Sequence, residues 1–283
     1  MIELSIITVT YNNELTIQAY LKSLFNNLPK KSEVIIIDNA STDKTVELIK
    51  NFPRVNLITS KANLGFSKGS NLGAKKAKGE FLLFLNPDTK VLTDGIKELI
   101  SFAKKNPKIG IVAPKLILKN GEAQPSVRKL PTILGVIKEY YFNIKNSFCE
   151  YVPQGKDPAE VECVYGAALM IRKDIFEKLN GFDEKFFLYY EDLDLCRRLK
   201  NLNLKIIYYP KAKIEHKVGT SSKKLSVQTL PFGLRTLAHF FPNKNTGSNY
   251  YQIRGANLYH GFVKASVIRA MIFLSVKLGI RPL

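Results

Sequence analysis

Three carboxylates open a helix-patterned stretch in Phe186-Phe187-Leu188-Tyr189-Tyr190-Glu191-Asp192-Leu193-Asp194. Acidic residues in a first turn complement the helix dipole, which accounts for some acid there. It does not account for the aromatic and apolar run just before it. That run would line a partly desolvated pocket, where Glu191, Asp192 or Asp194 gains the basicity to deprotonate a hydroxyl. A second acid, Asp88, follows the apolar run Phe81–Leu85 through Asn86 and Pro87. Asn86-Pro87-Asp88 reads either as an ordinary turn or as one oxygen ligand for Mg²⁺ or Mn²⁺ holding a diphosphate, because these ions need only one or two protein carboxylates. His216 is one of three histidines. Taken alone, it reads as structural.

Further polar residues cluster where strands are expected to end. Thr10-Tyr11-Asn12 follows the first apolar run, Asp38-Asn39-Ala40-Ser41 the second, and Asn63-Leu64-Gly65-Phe66 the third. In open α/β sheets ligands bind beyond the carboxyl ends of the strands. Tyr11 offers a ring face to a base, and Asp38 can accept from a base N–H or a ribose hydroxyl. The plainer reading is a turn at Asp38-Asn39, with Ser41 or Thr42 capping the next helix.

The elements that must position these residues alternate. Strands are predicted at Leu4–Val9, Val34–Ile37, Val55–Ile58, Phe81–Leu85 and Ile109–Ala113. Helices are predicted at Thr16–Leu28, Thr42–Asn51, Ser67–Ala77 and Asp94–Asn106. Such alternation argues for an α/β domain with a mostly parallel sheet. A hairpin turn is expected at Lys119-Asn120-Gly121-Glu122, then irregular structure through residue 160. Further strands are expected at Glu162–Ile171, Lys205–Tyr209 and Ala212–Glu215, and helices at Lys173–Leu179 and Glu191–Asn201.

Composition bounds the rest. The 283 residues are 45% hydrophobic and 24% charged, with a formal net charge of +19. From Lys217 to Leu283 there are ten basic residues and no acidic ones. Val263, Val267, Met271, Leu274 and Leu278 share one helical face there. A tail this basic and apolar points to an anionic membrane surface through residues 223–283, or to packing on the domain. Nucleic acid is not expected, since the carboxylates at 191–194 repel phosphate and no nucleic-acid motif occurs. Cys149, Cys163 and Cys196 are widely spaced, as reduced thiols in a cytoplasmic protein would be. The start of the chain lacks a signal-peptide pattern and no long uncharged apolar stretch occurs, so a cytoplasmic location is expected, with peripheral contact at the inner membrane face. A nucleotidyltransferase would want a glycine-rich, basic loop near the N-terminus, and residues 8–14 hold neither glycine nor basic residue.

In this order and spacing the series Thr10-Tyr11-Asn12, Asp38-Asn39-Ala40-Ser41, Asn63-Leu64-Gly65-Phe66, Asn71, Asn86-Pro87-Asp88, Gly166-Ala167-Ala168, Gly181-Phe182-Asp183-Glu184, Glu191-Asp192-Leu193-Asp194 and His216 resembles family 2 of the inverting glycosyltransferases, over roughly residues 3–222. The pairing of Asn-Pro-Asp with Tyr-Glu-Asp-Leu-Asp is most similar to the rhamnosyltransferase-like branch, which builds bacterial cell-surface polysaccharides. The resemblance implies a GT-A fold: α/β, Rossmann-like, with a mixed, mostly parallel central sheet flanked by helices. It divides residues 1–222 into a nucleotide-binding half (1–114) and an acceptor and catalytic half (115–222), ahead of a basic, mainly helical extension (223–283).

The resemblance also implies roles. A nucleotide-diphosphate sugar would meet Thr10, Tyr11, Asn12, Asp38, Asn39, Asn63, Gly65, Asn71, Asn86 and Asp88. Asp88 and His216 would hold a divalent metal, Mg²⁺ or Mn²⁺. Asp192 would be the catalytic base, with Glu191 and Asp194 supporting it or binding hydroxyls of a saccharide or lipid-linked acceptor. Asn86 stands where many relatives have Asp, which removes one formal charge from the metal site. The sequence has no Trp and no Gln-x-x-Arg-Trp motif, unlike processive synthases.

Overall fold

A computed structural model describes residues 2–92, 94–130 and 150–217. Strands β1 (Leu4–Thr10), β2 (Ser32–Asp38), β3 (Val55–Thr59) and β4 (Phe81–Leu85) alternate with helices α1 (Ile17–Asn26), α2 (Thr45–Lys50) and α3 (Gly65–Lys76). After β4 come β5 (Thr89–Val91), α4 (Gly95–Lys105), β6 (Ile109–Ile117), β7 (Val127–Arg128), β8 (Ala159–Glu160), β9 (Cys163–Val164), β10 (Ala168–Arg172), α5 (Lys173–Lys178), α6 (Glu191–Lys200) and β11 (Lys205–His216).

Among the described residues one nine-stranded sheet runs β3-β2-β1-β4-β10-β6-β11-β5, with β8 on β11. β1, β2, β3 and β4 are parallel. Their apolar residues are consecutive rather than alternating because helices cover both faces. Leu4 and Ile6 share a core with Tyr20, Leu21 and Leu24 of α1 and Leu99 of α4. On the opposite face α3 comes close to β1, since Gly69 meets Val9 and Gly73 meets Ile7 with no side chain between.

β10 decides where the site is. It lies antiparallel between β4 and β6, with Ala168 opposite Leu85. A strand running the other way begins where its neighbour ends. Gly166 and Ala167 therefore emerge at the edge where β4 gives way to Asn86, and Asn86 N–H donates to the Ala167 carbonyl (3.0 Å). The two halves expected from the resemblance thus share one sheet.

Several expectations need correction. The strand expected over Glu162–Ile171 is two strands: Cys163–Val164 pairs with β7 in a separate ribbon, and Ala168–Arg172 joins the main sheet. Between them the Gly166 N–H serves a side chain instead of the ladder. α2 begins three residues later than predicted because Asn12 Oδ1 accepts from Thr42 N–H and Asp43 Oδ1 from Thr45 N–H, holding residues 42–44 as a loop. The two strands expected at Lys205–Tyr209 and Ala212–Glu215 are one, β11, which pairs with β6 through an irregularity between Tyr209 and Lys213. Pro210 sits in that irregularity, where a missing N–H costs no ladder bond. β5 escaped notice because three residues carry no period, and its pairing with β11 holds it. The expected hairpin turn is present, with Gly121 at φ +84° and Leu118 N–H on the Glu122 carbonyl (2.8 Å).

Cys163 and Cys196 are free, buried thiols. Among the described residues no helix is long and apolar enough to cross a membrane. Cys149, the helical face at Val263–Leu278 and the extension 223–283 lie outside the described residues.

Candidate functional site

The carboxyl ends of β1 and β2 form one bonded corner. Asp38, 1% exposed, accepts from Thr10 Oγ1 (3.1 Å), Ser41 N–H (2.9 Å) and Ser41 Oγ (2.5 Å). Three donors leave room for about one more on its two oxygens. Asn12, at φ +53°, donates its N–H to Ser41 Oγ (2.9 Å), which brings Thr10, Asn12 and Asp38 together. Tyr11 stands half-buried between them. Asn39 is buried, and its Nδ2 donates to the Gly65 carbonyl (2.9 Å), tying β2 to the next turn. In that turn Asn63 Oδ1 accepts from Gly65 N–H (2.9 Å).

Asn71 stands apart from this corner. Its amide is committed to the backbone of Phe182, donating to the carbonyl (2.9 Å) and accepting from the N–H (2.9 Å). The contact clasps α3 to the Gly181-Phe182 turn below the aromatic group of Phe66, Phe84, Phe176 and Phe182.

The turn Asn86-Pro87-Asp88 is closed by Thr89 Oγ1 on the Asn86 carbonyl (2.7 Å). Because β5 pairs His216 with Thr89, the ring of His216 comes beside Asp88. His216 Nε2 lies 3.4 Å from Asp88 Oδ1, and Lys217 N–H donates to the Asp88 carbonyl (3.0 Å). On the far side of the ring Nδ1 is 3.0 Å from Oε1 of buried Gln124. The contact fixes the ring plane, leaving Nε2 to face Asp88. Among the described residues no group of three or more His, Cys, Asp and Glu gathers as a metal cage.

Asp192 stands at the head of α6, behind Tyr189 (φ +73°) and Tyr190 (φ +75°). Two consecutive left-handed non-glycine residues are strained and persist only where surroundings enforce them. Here Phe66 N–H holds the Phe187 carbonyl (2.7 Å). Asp192 Oδ2 accepts from Gly166 N–H (2.9 Å) and Oδ1 from Leu193 N–H (2.8 Å). Burial pushes the Asp192 carboxyl above the usual carboxylate range, while the Arg128 charge and the amides pull it back. Glu191, 5% exposed and with no hydrogen-bond partner on Oε2, is pushed well above that range, first by burial and then by Asp192. Burial acts on both carboxyls, but only Asp192 has the Arg128 charge and two amide N–H groups to favour its ionised form, so Glu191 is pushed further toward its protonated form. Asp194 is engaged elsewhere, accepting from Arg198 Nε (2.7 Å), whose guanidinium also donates to the Leu179 and Gly181 carbonyls.

The turn after β4 and the head of α6 meet at the start of β10. Asn86 touches Ala167, and the adjoining Gly166 binds Asp192. Gln124 and Arg128 carry no signature in the sequence, being one Gln among five and one of 43 basic residues, whereas Gly166 stands in the Gly166-Ala167-Ala168 element of the resemblance, with no role there for its N–H. A shallow hollow lined by Pro107, Arg172 and Lys178 opens at the opposite edge, away from these groups.

The profile described as "Glycosyl transferase family 2" matches residues 5–179, and "N-terminal domain of galactosyltransferase" matches residues 153–221. The chain is 26% identical, over 86% of its length and 85% of the relative's, to the N-acetylglucosaminyl-diphospho-decaprenol L-rhamnosyltransferase of Mycobacterium tuberculosis. It is 25% identical to the dTDP-rhamnosyl transferase RfbF of Shigella flexneri, over 89% of this chain and 78% of that protein. A solved structure, GalNAc-T7 with UDP, GalNAc and Mn²⁺, superposes with a TM-score of 0.61 at 17% identity, covering 76% of this chain and 44% of that one, which shows the GT-A fold. With a family match across more than half of its length, the chain belongs to glycosyl transferase family 2 and is a glycosyltransferase.

Proposed function

We propose that this glycosyltransferase moves rhamnose from dTDP-rhamnose onto a lipid-linked saccharide, with inversion, using Asp192 as the base. The observation that carries the reading is the setting of Asp192: a half-buried carboxylate fixed by Gly166 N–H and set beside Glu191, whose carboxyl burial pushes upward, at the edge where the nucleotide-side turns end. The donor and acceptor classes follow from the relatives named above, one acting with dTDP-rhamnose and one on a diphospho-decaprenol acceptor.

An acceptor hydroxyl is a weak nucleophile, so Asp192 takes its proton as the oxygen attacks the anomeric carbon. One carboxylate acting directly, with no sugar–enzyme bond, inverts that carbon. Burial of Glu191 favours its protonated form and so opposes a second charge beside Asp192. Thr10, Tyr11, Asn12 and Asp38 would frame the base and ribose, Asn39 and Asn63 would hold the Gly65 turn against the donor, and Asn71 would brace the wall behind it.

The residues present fit a divalent cation shared with the donor diphosphate. Asp88 and His216 face each other, and the ring is oriented by Gln124, as metal-bound histidines commonly are by an outer partner. A bound cation would neutralise charge on the departing diphosphate. Two protein ligands suffice for Mg²⁺ or Mn²⁺ when phosphate supplies the rest. The basic segment Lys217–Leu283 would hold the enzyme peripherally on an anionic inner membrane face, beside its lipid-linked acceptor.

The test is transfer from dTDP-rhamnose with Mn²⁺ onto a polyprenyl-diphosphate N-acetylglucosamine. Asp192→Asn should lower kcat by about 10²–10⁴-fold while calorimetry finds dTDP binding intact. Near wild-type turnover in that variant would remove Asp192 from the role.

A further inference from the structure

Arg128 is 7% exposed, a rare placement for an arginine. It lies on β7 opposite Cys163 of β9. Its guanidinium carbon stacks 4.5 Å from the centre of the Tyr165 ring, and Nη2 donates to the Tyr165 hydroxyl and to Glu150. Neither of these two partners supplies a buried opposite charge. Glu150 has a side chain 44% exposed, and such half-solvated pairs contribute little. The Tyr165 phenol is neutral, its pKa driven up by burial. A buried cation persists where a buried anion answers it. Tyr165 is joined to Gly166, and Gly166 N–H binds Asp192.

We propose that Arg128 is a positioning residue for sugar transfer: it clamps the Tyr165-Gly166 segment on which the Asp192 carboxylate rests and presents a fixed positive charge to that carboxylate. This rests on Asp192 being the base. A base partly withdrawn from water, as Asp192 is, drifts toward its protonated, inactive form. A fixed cation offsets that drift without leaving the base too weak, since the same burial keeps it more basic than an exposed aspartate. The titratable groups that act on Asp192 are Arg128 from β7, Cys163 from β9 and Glu191 from its own helix. Of these, burial pushes both the Cys163 thiol and the Glu191 carboxyl toward their uncharged forms, whereas a guanidinium keeps its charge. Arg128 is therefore the group that bears charge toward it.

The experiment follows the Asp192 carboxyl carbon by ¹³C NMR across pH in the full chain, the resonance being assigned by its loss in Asp192→Asn. Arg128→Met should raise the titration midpoint by about one to three pH units, the usual effect of removing an opposite charge at close range. Arg128→Gln, which can still bond Tyr165, should do the same if the Met variant does not fold. Arg128→Lys should return most of the shift. Glu150→Gln and Tyr165→Phe should move the midpoint by less than half as much. The acid limb of kcat/KM for transfer from dTDP-rhamnose should shift in step with the midpoint. An unmoved midpoint in both neutral Arg128 variants overturns the proposal, as does an equal shift in Glu150→Gln or Tyr165→Phe. Asp192→Asn with near wild-type transfer would instead overturn the base assignment and leave the NMR result standing.

Discussion

Gly65 and Phe187 are in backbone contact. At φ +77° the Gly65 Cα passes so close to the Phe187 carbonyl that a methyl group there would overlap the oxygen, and the next amide, Phe66 N–H, donates to that oxygen at 2.7 Å. The contact joins the turn after β3 to the strained segment leading into Asp192. Gly65→Ala combines a disfavoured φ with steric overlap, and should cost roughly 2–4 kcal/mol of stability. Transfer should fall further than stability explains, since the loop carrying Tyr189 and Tyr190 would move. Urea denaturation together with transfer kinetics tests this, and wild-type values in both would contradict the contact.

Gln124 orients His216 across a 3.0 Å contact, while the other ring nitrogen faces Asp88. Gln124→Ala should free the ring and weaken Mn²⁺-dependent dTDP binding by about 10–100-fold, the range for losing an outer partner of a metal ligand. His216→Ala should weaken it at least as much. Calorimetric titrations with and without Mn²⁺ check both, and equal affinities in all three proteins would remove His216 from metal binding.

Glu191 should make stability depend on pH. Its folded pKa lies above the ordinary value of 4.5, so the folded protein holds this proton more tightly than the unfolded chain does. Its contribution is whole below that ordinary value and is lost as pH rises toward the folded value. Glu191→Gln cannot ionise and escapes the loss. The Tm of the variant should gain on wild type as pH climbs from about 5 to 8, by roughly 2–4 °C for each kcal/mol. Parallel melting curves across that range would show that Glu191 ionises freely in the fold.

Asn71 spends its amide on both backbone groups of Phe182. Asn71→Ala leaves both without their partner and should destabilise the protein by roughly 1–3 kcal/mol. Asn71→Asp keeps the acceptor and loses the donor, and should fall between. If Asn71 instead serves the donor alone, dTDP-rhamnose KM will rise with no change in denaturation midpoint.

The parallel strands were legible because sheets covered on both faces show unbroken apolar runs. Helix starts were less so: α2 begins late on account of Asn12, a residue far away in the chain. The reversal of β10 was illegible, since strand direction leaves no trace in a run such as Ala168–Arg172. The candidate acids could be named from residue type and neighbours, but Asp194 proved engaged with Arg198 and Asn71 with Phe182.

Local order in the chain determined the strand–helix alternation and the acid cluster after an aromatic run, because periodicity and neighbour identity are properties of consecutive residues. Tertiary structure alone decided that His216 meets Asp88, that Gly166 and Arg128 attend Asp192, and that Glu191 is buried beside it without such partners. Those outcomes depend on burial and on distances between residues remote in sequence, and Coulomb and desolvation energies are set by position in space.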